Sequence, residues 1–145
     1  MATSVQIVFD CADPDRLGKF WQVALHYNQQ DPPAGFVSWS DFLKVQGVPE
    51  EEWNSANALV DPENVGPRIY FQKMDTPKPS KNRVHLDLNV SGGSRASYDE
   101  RVKRVNAEVE RILTLGATKQ QVWEEPDGTY WVVMLDPEGN EFCIQ

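Results

Sequence analysis

The sequence predicts an α+β fold built from two tandem β-α-β-β-β modules. Three observations carry this reading. Two segments repeat apolar residues at helical spacing on one side only, so each helix must lie on something. The other apolar residues alternate with polar ones at period two, the pattern of strands with one covered face. Strand followed by helix occurs twice, and each half closes on a hairpin carrying the same turn, Asp61-Pro62-Glu63 and Asp136-Pro137-Glu138. The modules span about residues 1–75 and 82–145, joined by the polar linker TPKPSK at 76–81, and together form one domain over 1–145.

The elements follow in order. In Val5–Cys11, Val5, Ile7, Phe9 and Cys11 oppose Gln6, Val8 and Asp10. Asp13 is a suitable N-cap and Pro14 suits the first helical position, so a helix runs to about His26. Its apolar face is Leu17, Phe20, Trp21, Ala24 and Leu25. About thirty residues then precede the next strand, roughly one insertion's worth of chain. Trp39, Phe42, Leu43 and Trp53 place one or two short helical turns there, broken at Gly47-Val48-Pro49. Such an insertion is either a lid over a site or a satellite core. Strands follow at Ala56–Val60 and around Ile69 and Phe71, which alternate with Arg68, Tyr70 and Gln72.

The second module opens with RVHLDLNV at 83–90. Val84, Leu86, Leu88 and Val90 face one way, and Arg83, His85, Asp87 and Asn89 the other. Ser97 with Glu100 reads as a capping box for a helix to about Leu115, which Gly116 stops. Tyr98, Val102, Val105, Val109, Ile112 and Leu113 form its stripe. Strands at Thr118–Trp123, Thr129–Leu135 and Glu141–Gln145 complete the half, with Phe142 and Ile144 opposing Glu141, Cys143 and Gln145.

Composition narrows the function class. The chain has 145 residues, 40% apolar and 10% aromatic, enough for a packed core. A net charge of −8 disfavours nucleic acid and anionic lipid as partners. No apolar run approaches the roughly 20 residues of a membrane span. The start MATSVQIVFDCADP lacks the basic and apolar parts of a signal peptide, so a soluble, cytoplasmic protein is expected. Cys11 and Cys143 are too few for a disulfide scaffold and are expected as buried thiols. There is no nucleophile elbow, P-loop or CxxC, which leaves hydrolase, nucleotide-binding and thiol-redox readings without support. His26 closes a helix, and Glu50-Glu51-Glu52-Trp53 reads as a solvated helix start.

The chain resembles the vicinal oxygen chelate (VOC) superfamily, nearest to the glyoxalase-like domains of the glyoxalase, bleomycin-resistance and dioxygenase group. The resemblance rests on IVFDCADPDRLGKFW at 7–21, DPENVGPRIYFQKM at 61–74, KNRVHLDLNV at 81–90 and WVVMLDPEGNEFCIQ at 131–145. It implies two modules forming a curved mixed sheet around a cup, with metal ligands from the first and last strands of each module. Laying one module on the other matches Gln6 with His85 and Arg68 with Glu141. The resemblance therefore implies a divalent metal ion held by His85, Glu141 and Gln6, with His85 and Glu141 as catalytic groups. Arg68 departs from the pattern, because a guanidinium has no lone pair for a metal.

Two functions stand open on this basis. One is a metal-dependent lyase or isomerase of the glyoxalase type, in which the metal polarises neighbouring substrate oxygens. The other is a metal-free protein that binds or sequesters a small ligand, as the bleomycin-resistance proteins do. There Trp39, Trp53, Trp131 and Tyr70 hold a flat molecule, and Arg68 and Asp87 fix its polar groups. Each residue also has a structural reading: His85 bonded to Asp87, Glu141 paired with Arg68, and Gln6 as polar lining. The resemblance further implies a homodimer, since an open curved sheet leaves edges that need cover.

Overall fold

The computed structural model describes residues 2–145. The chain divides into two compact units, Met1–Pro77 and Lys78–Gln145, and each contains one four-stranded mixed sheet.

In the first unit the order is β1 (Gln6–Cys11), α1 (Pro14–Leu25), β2 (Asn28–Gln29), α2 (Trp39–Val45), a 3₁₀ turn at Glu50–Ser55, β3 (Ala56–Val60) and β4 (Arg68–Lys73). The sheet order is β1-β4-β3-β2. β1 and β4 are parallel, with Gln6 opposite Arg68, and the other pairs are antiparallel. A parallel neighbour cannot be reached by a tight turn, so α1 and the strands after it make the crossover.

The local signals in the sequence explain where α1 begins and what it buries. The Asp13 carboxylate accepts the Arg16 amide at 3.1 Å, satisfying one orphan donor of the first turn. The helix buries Leu17, Phe20, Trp21 and Ala24 against Leu59, Ile69 and Phe71 of the sheet. Phe9 stacks on Phe71 with ring centroids 5.4 Å apart and meets Trp21 at 5.5 Å. Gly18 is buried where α1 meets β3, and a Cβ there would lie 2.3 Å from Asn57 Nδ2. The helix ends at His26, whose backbone is left-handed.

The second unit repeats the plan: β5 (Asp87–Leu88), α3 (Tyr98–Leu113), β6 (Thr118–Glu124), β7 (Tyr130–Leu135) and β8 (Glu141–Ile144), in sheet order β5-β8-β7-β6. β5 and β8 are parallel and the other pairs antiparallel. Ser97 Oγ caps α3 by accepting the Glu100 amide, while the Glu100 carboxylate takes Arg104 at 2.9 Å. Val105, Val109 and Ile112 are fully buried with Val132, Met134, Phe142 and Ile144.

Three expectations need correction. The strand expected over 83–90 is regular only at Asp87–Leu88, although backbone bonds at Leu86 and Val90 continue the pairing with β8 and Gln145. Val5 and Val84, placed on apolar faces, are 71% and 82% exposed, because each precedes the paired part of its strand. β2 was not expected, because two polar residues carry no periodicity.

The two turns share their first side-chain bond. Asp61 Oδ1 accepts the Glu63 amide at 2.9 Å, and Asp136 Oδ1 accepts the Glu138 amide at 2.9 Å. The fourth residue of each turn, Asn64 or Gly139, has positive φ. Asp136 is 3% exposed and also accepts the Asn140 amide and side chain. Asp136→Ala leaves these donors without their acceptor and is expected to cost about 2 kcal/mol of stability. Urea denaturation checks this, and a loss within the error of wild type would contradict it.

Candidate functional site

The open face of the first sheet carries Gln6 and Val8 on β1, Arg68 and Tyr70 on β4, and Ala56 and Ala58 on β3, opposite the α1 face. The two alanines leave space that larger side chains would fill. The insertion closes over this space from the side. Asn54 ties the 3₁₀ turn to the start of α1, donating to Asp13 Oδ1 and accepting from the Asp15 amide, both at 2.8 Å. Trp39 Nε1 donates to the Gln30 carbonyl at 2.7 Å, and Trp53 Nε1 to the Val48 carbonyl at 3.0 Å. Phe42 packs edge-on against both Phe36 and Trp39. The insertion is thus an anchored wall with its own small aromatic cluster.

Between wall and sheet lies a cavity of about 590 Å³, within the range of small-molecule sites. Trp39, Trp53, Arg68 and Tyr70 all line it. The Arg68 guanidinium lies 5.2 Å from the Tyr70 ring centroid. Its Nε donates to Gln30 Oε1 at 2.6 Å, and its Nη1 donates to Gln6 Oε1. Two of five guanidinium donors are thereby committed, and the others suit an acceptor entering the cavity. Gln30 had no distinguishing signal in the sequence.

In the second unit, His85 Nε2 lies 3.2 Å from Asp87 Oδ1, both half-exposed. Asp87 pairs directly with Cys143 across the parallel ladder. Among the described residues, the side chains of His85, Asp87 and Cys143 bring ligand atoms within 4.8 Å of one another. Burial, reinforced by Asp87, pushes the Cys143 thiol up to about 11. Cys143 alternates with Glu141 on one strand, and that shared face was the available signal for it. Cys11 and Cys143 are both buried thiols and form no disulfide. Trp131 stacks on Trp123, with centroids 5.9 Å apart and planes 12° apart.

Glu141 is 9% exposed and is engaged by other groups. It accepts the Asn82 amide at 2.8 Å and Lys78 Nζ at 3.2 Å. Of the four positions at which the resemblance puts metal ligands, Arg68 has no lone pair, Gln6 has its carbonyl oxygen on Arg68, and Glu141 holds two donors. His85 has the chemistry of a metal ligand, and its Nε2 faces Asp87 Oδ1 at 3.2 Å. Within the first unit, Arg68 and Gln6 therefore do not fit the ligand roles that the resemblance gives their positions.

The family model described as "Glyoxalase-like domain" matches residues 6–145. No curated protein matches the sequence. Among solved structures, a mutant of the fosfomycin resistance protein FosX from Listeria monocytogenes, complexed with Mn(II) and 1S,2S-dihydroxypropylphosphonic acid, has TM-score 0.62 at 14% identity, covering 100% of this chain and 90% of that one. A glyoxalase/bleomycin resistance protein/dioxygenase family enzyme from Burkholderia phytofirmans PsJN has TM-score 0.61 at 17% identity, covering 96% and 94%. TioX from Micromonospora sp. ML1 has TM-score 0.53 at 13% identity, covering 99% and 97%. At these identities the likeness is one of fold. No helix among the described residues is long and apolar enough to cross a membrane.

Glu141 also sets a pH dependence. Burial raises its pKa, but the Asn82 amide, its own backbone amide and Lys78 together hold it below the ordinary 4.5. A depressed carboxyl contributes stability above its unfolded value and loses it as pH falls through the folded value. Wild type should therefore lose stability as pH drops below 4.5, and Glu141→Gln should show a smaller loss over that window. Urea midpoints at neutral pH and at successive steps below 4.5 measure the difference. Parallel curves for the two proteins would contradict it.

Proposed function

The chain belongs to the glyoxalase-like domain family, and from that premise we propose that it binds a small molecule in the cavity of its first unit. The observation that carries this is the meeting of Trp39, Trp53, Tyr70 and Arg68 around one space. Aromatic walls favour a flat apolar body, and a guanidinium favours an anionic or strongly accepting oxygen. Aromatic carboxylates combine both properties.

The fold hosts enzymes and binders alike, so reaction type follows from the groups present. FosX is complexed with Mn(II), and a metal-assisted lyase or isomerase in this chain would need a ligand set of its own. Gln6, Arg68 and Glu141 are committed elsewhere, so no reaction step is assigned to a metal at the family positions. Recognition without chemistry in this cavity is the reading favoured by its residues. Assembly belongs to the same proposal: the outer strand β6 is exposed along its length, with Val122 and Trp123 each 41% exposed, which supports a homodimer.

A panel of aromatic carboxylates should contain members that raise the melting temperature and quench tryptophan fluorescence. Arg68→Lys keeps the charge but loses the fork, and should weaken binding about tenfold or more. Trp39→Ala should weaken it similarly, whereas His85→Ala should leave it unchanged. Binding indifferent to both Arg68 and Trp39, or no response to any carboxylate, would overturn the proposal. Light scattering at micromolar concentration checks the dimer, and a lone 16.5 kDa species counts against it.

A further inference from the structure

In the second unit we propose a divalent-metal site of the zinc class formed by His85, Asp87 and Cys143, in which His85 keeps the position at which the resemblance puts a ligand and Asp87 with Cys143, one rung further along the β5–β8 ladder, takes the place of Glu141. The ladder sets the displacement. Asp87 and Cys143 are register partners, so their side chains stand side by side on one face. His85 lies two residues earlier in the same direction and reaches Asp87 at 3.2 Å. Glu141, on the preceding rung of β8, is held by Asn82 and Lys78.

The donor chemistry selects the ion. Imidazole, carboxylate and thiolate together suit a borderline-soft cation such as Zn²⁺, where an all-oxygen set would suit magnesium or calcium. The three ligand atoms lie within 4.8 Å of one another. Ligands around a tetrahedral zinc stand roughly 3–4 Å apart, given bonds of about 2.0–2.3 Å. Rotamer adjustment of half-exposed His85 and Asp87 covers the remaining distance, while Cys143 stays anchored in the strand, 8% exposed.

Binding is a proton exchange. The S–H bond of Cys143 breaks, the sulfur pair forms the bond to the metal, and the proton leaves to solvent. With neutral imidazole, one carboxylate and one thiolate, the site's charge balances that of a divalent ion. Three protein ligands leave a fourth position open to water or an exogenous oxygen. The proposal does not rest on the cavity of the first unit and stands or falls on separate measurements.

The test uses the full chain, stripped with chelator and titrated with Zn²⁺ and with Co²⁺. One equivalent of each should bind, and the cobalt form should show a thiolate-to-metal charge-transfer band. Cys143→Ser should remove that band and weaken zinc binding at least tenfold. His85→Ala and Asp87→Asn, at half-exposed positions, should each weaken it comparably with an unchanged circular dichroism spectrum. Glu141→Gln should leave the stoichiometry and the band in place. Absence of binding by wild type at micromolar metal overturns the proposal. So does binding without the band, or binding lost in Glu141→Gln but kept in Cys143→Ser. Should Cys143→Ser fail to fold, the wild-type cobalt spectrum and the two half-exposed variants still decide.

Discussion

Parallel pairing of the first and last strand of each unit is the constraint from which the remaining features descend. A chain cannot fold straight back into a parallel neighbour, so β1 must be separated from β4, and β5 from β8, by a long crossover. That crossover supplies the helix covering one face of each sheet and the antiparallel strands that widen it. It also places residues far apart in sequence on facing positions: Gln6 against Arg68, and Asp87 against Cys143. The polar groups of interest in each unit are therefore rungs of the same kind of ladder.

The two units use that common frame differently. The first inserts α2 and a 3₁₀ turn between its second and third strands and gains an aromatic wall over an open face softened by Ala56 and Ala58. The second has no comparable insertion, and its polar face carries a compact titratable group instead. Duplication supplies the frame, and divergence of one connection decides what each copy holds.

Much of the fold was legible because its determinants are local. Asp13-Pro14, Ser97 and the two Asp-Pro-Glu turns each act through hydrogen bonds within a few residues, and the one-sided faces of α1 and α3 follow from their periodicity. β2 and the frayed start of the second unit were not, since strand pairing there depends on distant partners. The site divides along the same line. Alternation put Arg68, Tyr70, His85 and Asp87 on polar faces, but nothing near Arg68 in sequence announces Gln30 as its partner, 38 residues away. Likewise nothing near Glu141 in sequence announces its partners, Asn82 and Lys78, which sit in a polar connector without pattern.

Arg68 illustrates what such long-range partners do for recognition. A free arginine loses roughly 2 kcal/mol of rotamer entropy when a ligand fixes it. Here two glutamines and the Tyr70 ring impose that ordering during folding, before any ligand arrives. Affinity is then not diluted by freezing the side chain at the moment of encounter. The same ordering has an opposite face: a guanidinium held by two hydrogen bonds gives up those bonds to follow an acceptor set a little out of place. The cavity should therefore be exacting rather than accommodating, admitting few molecules and rejecting near relatives by geometry instead of by charge.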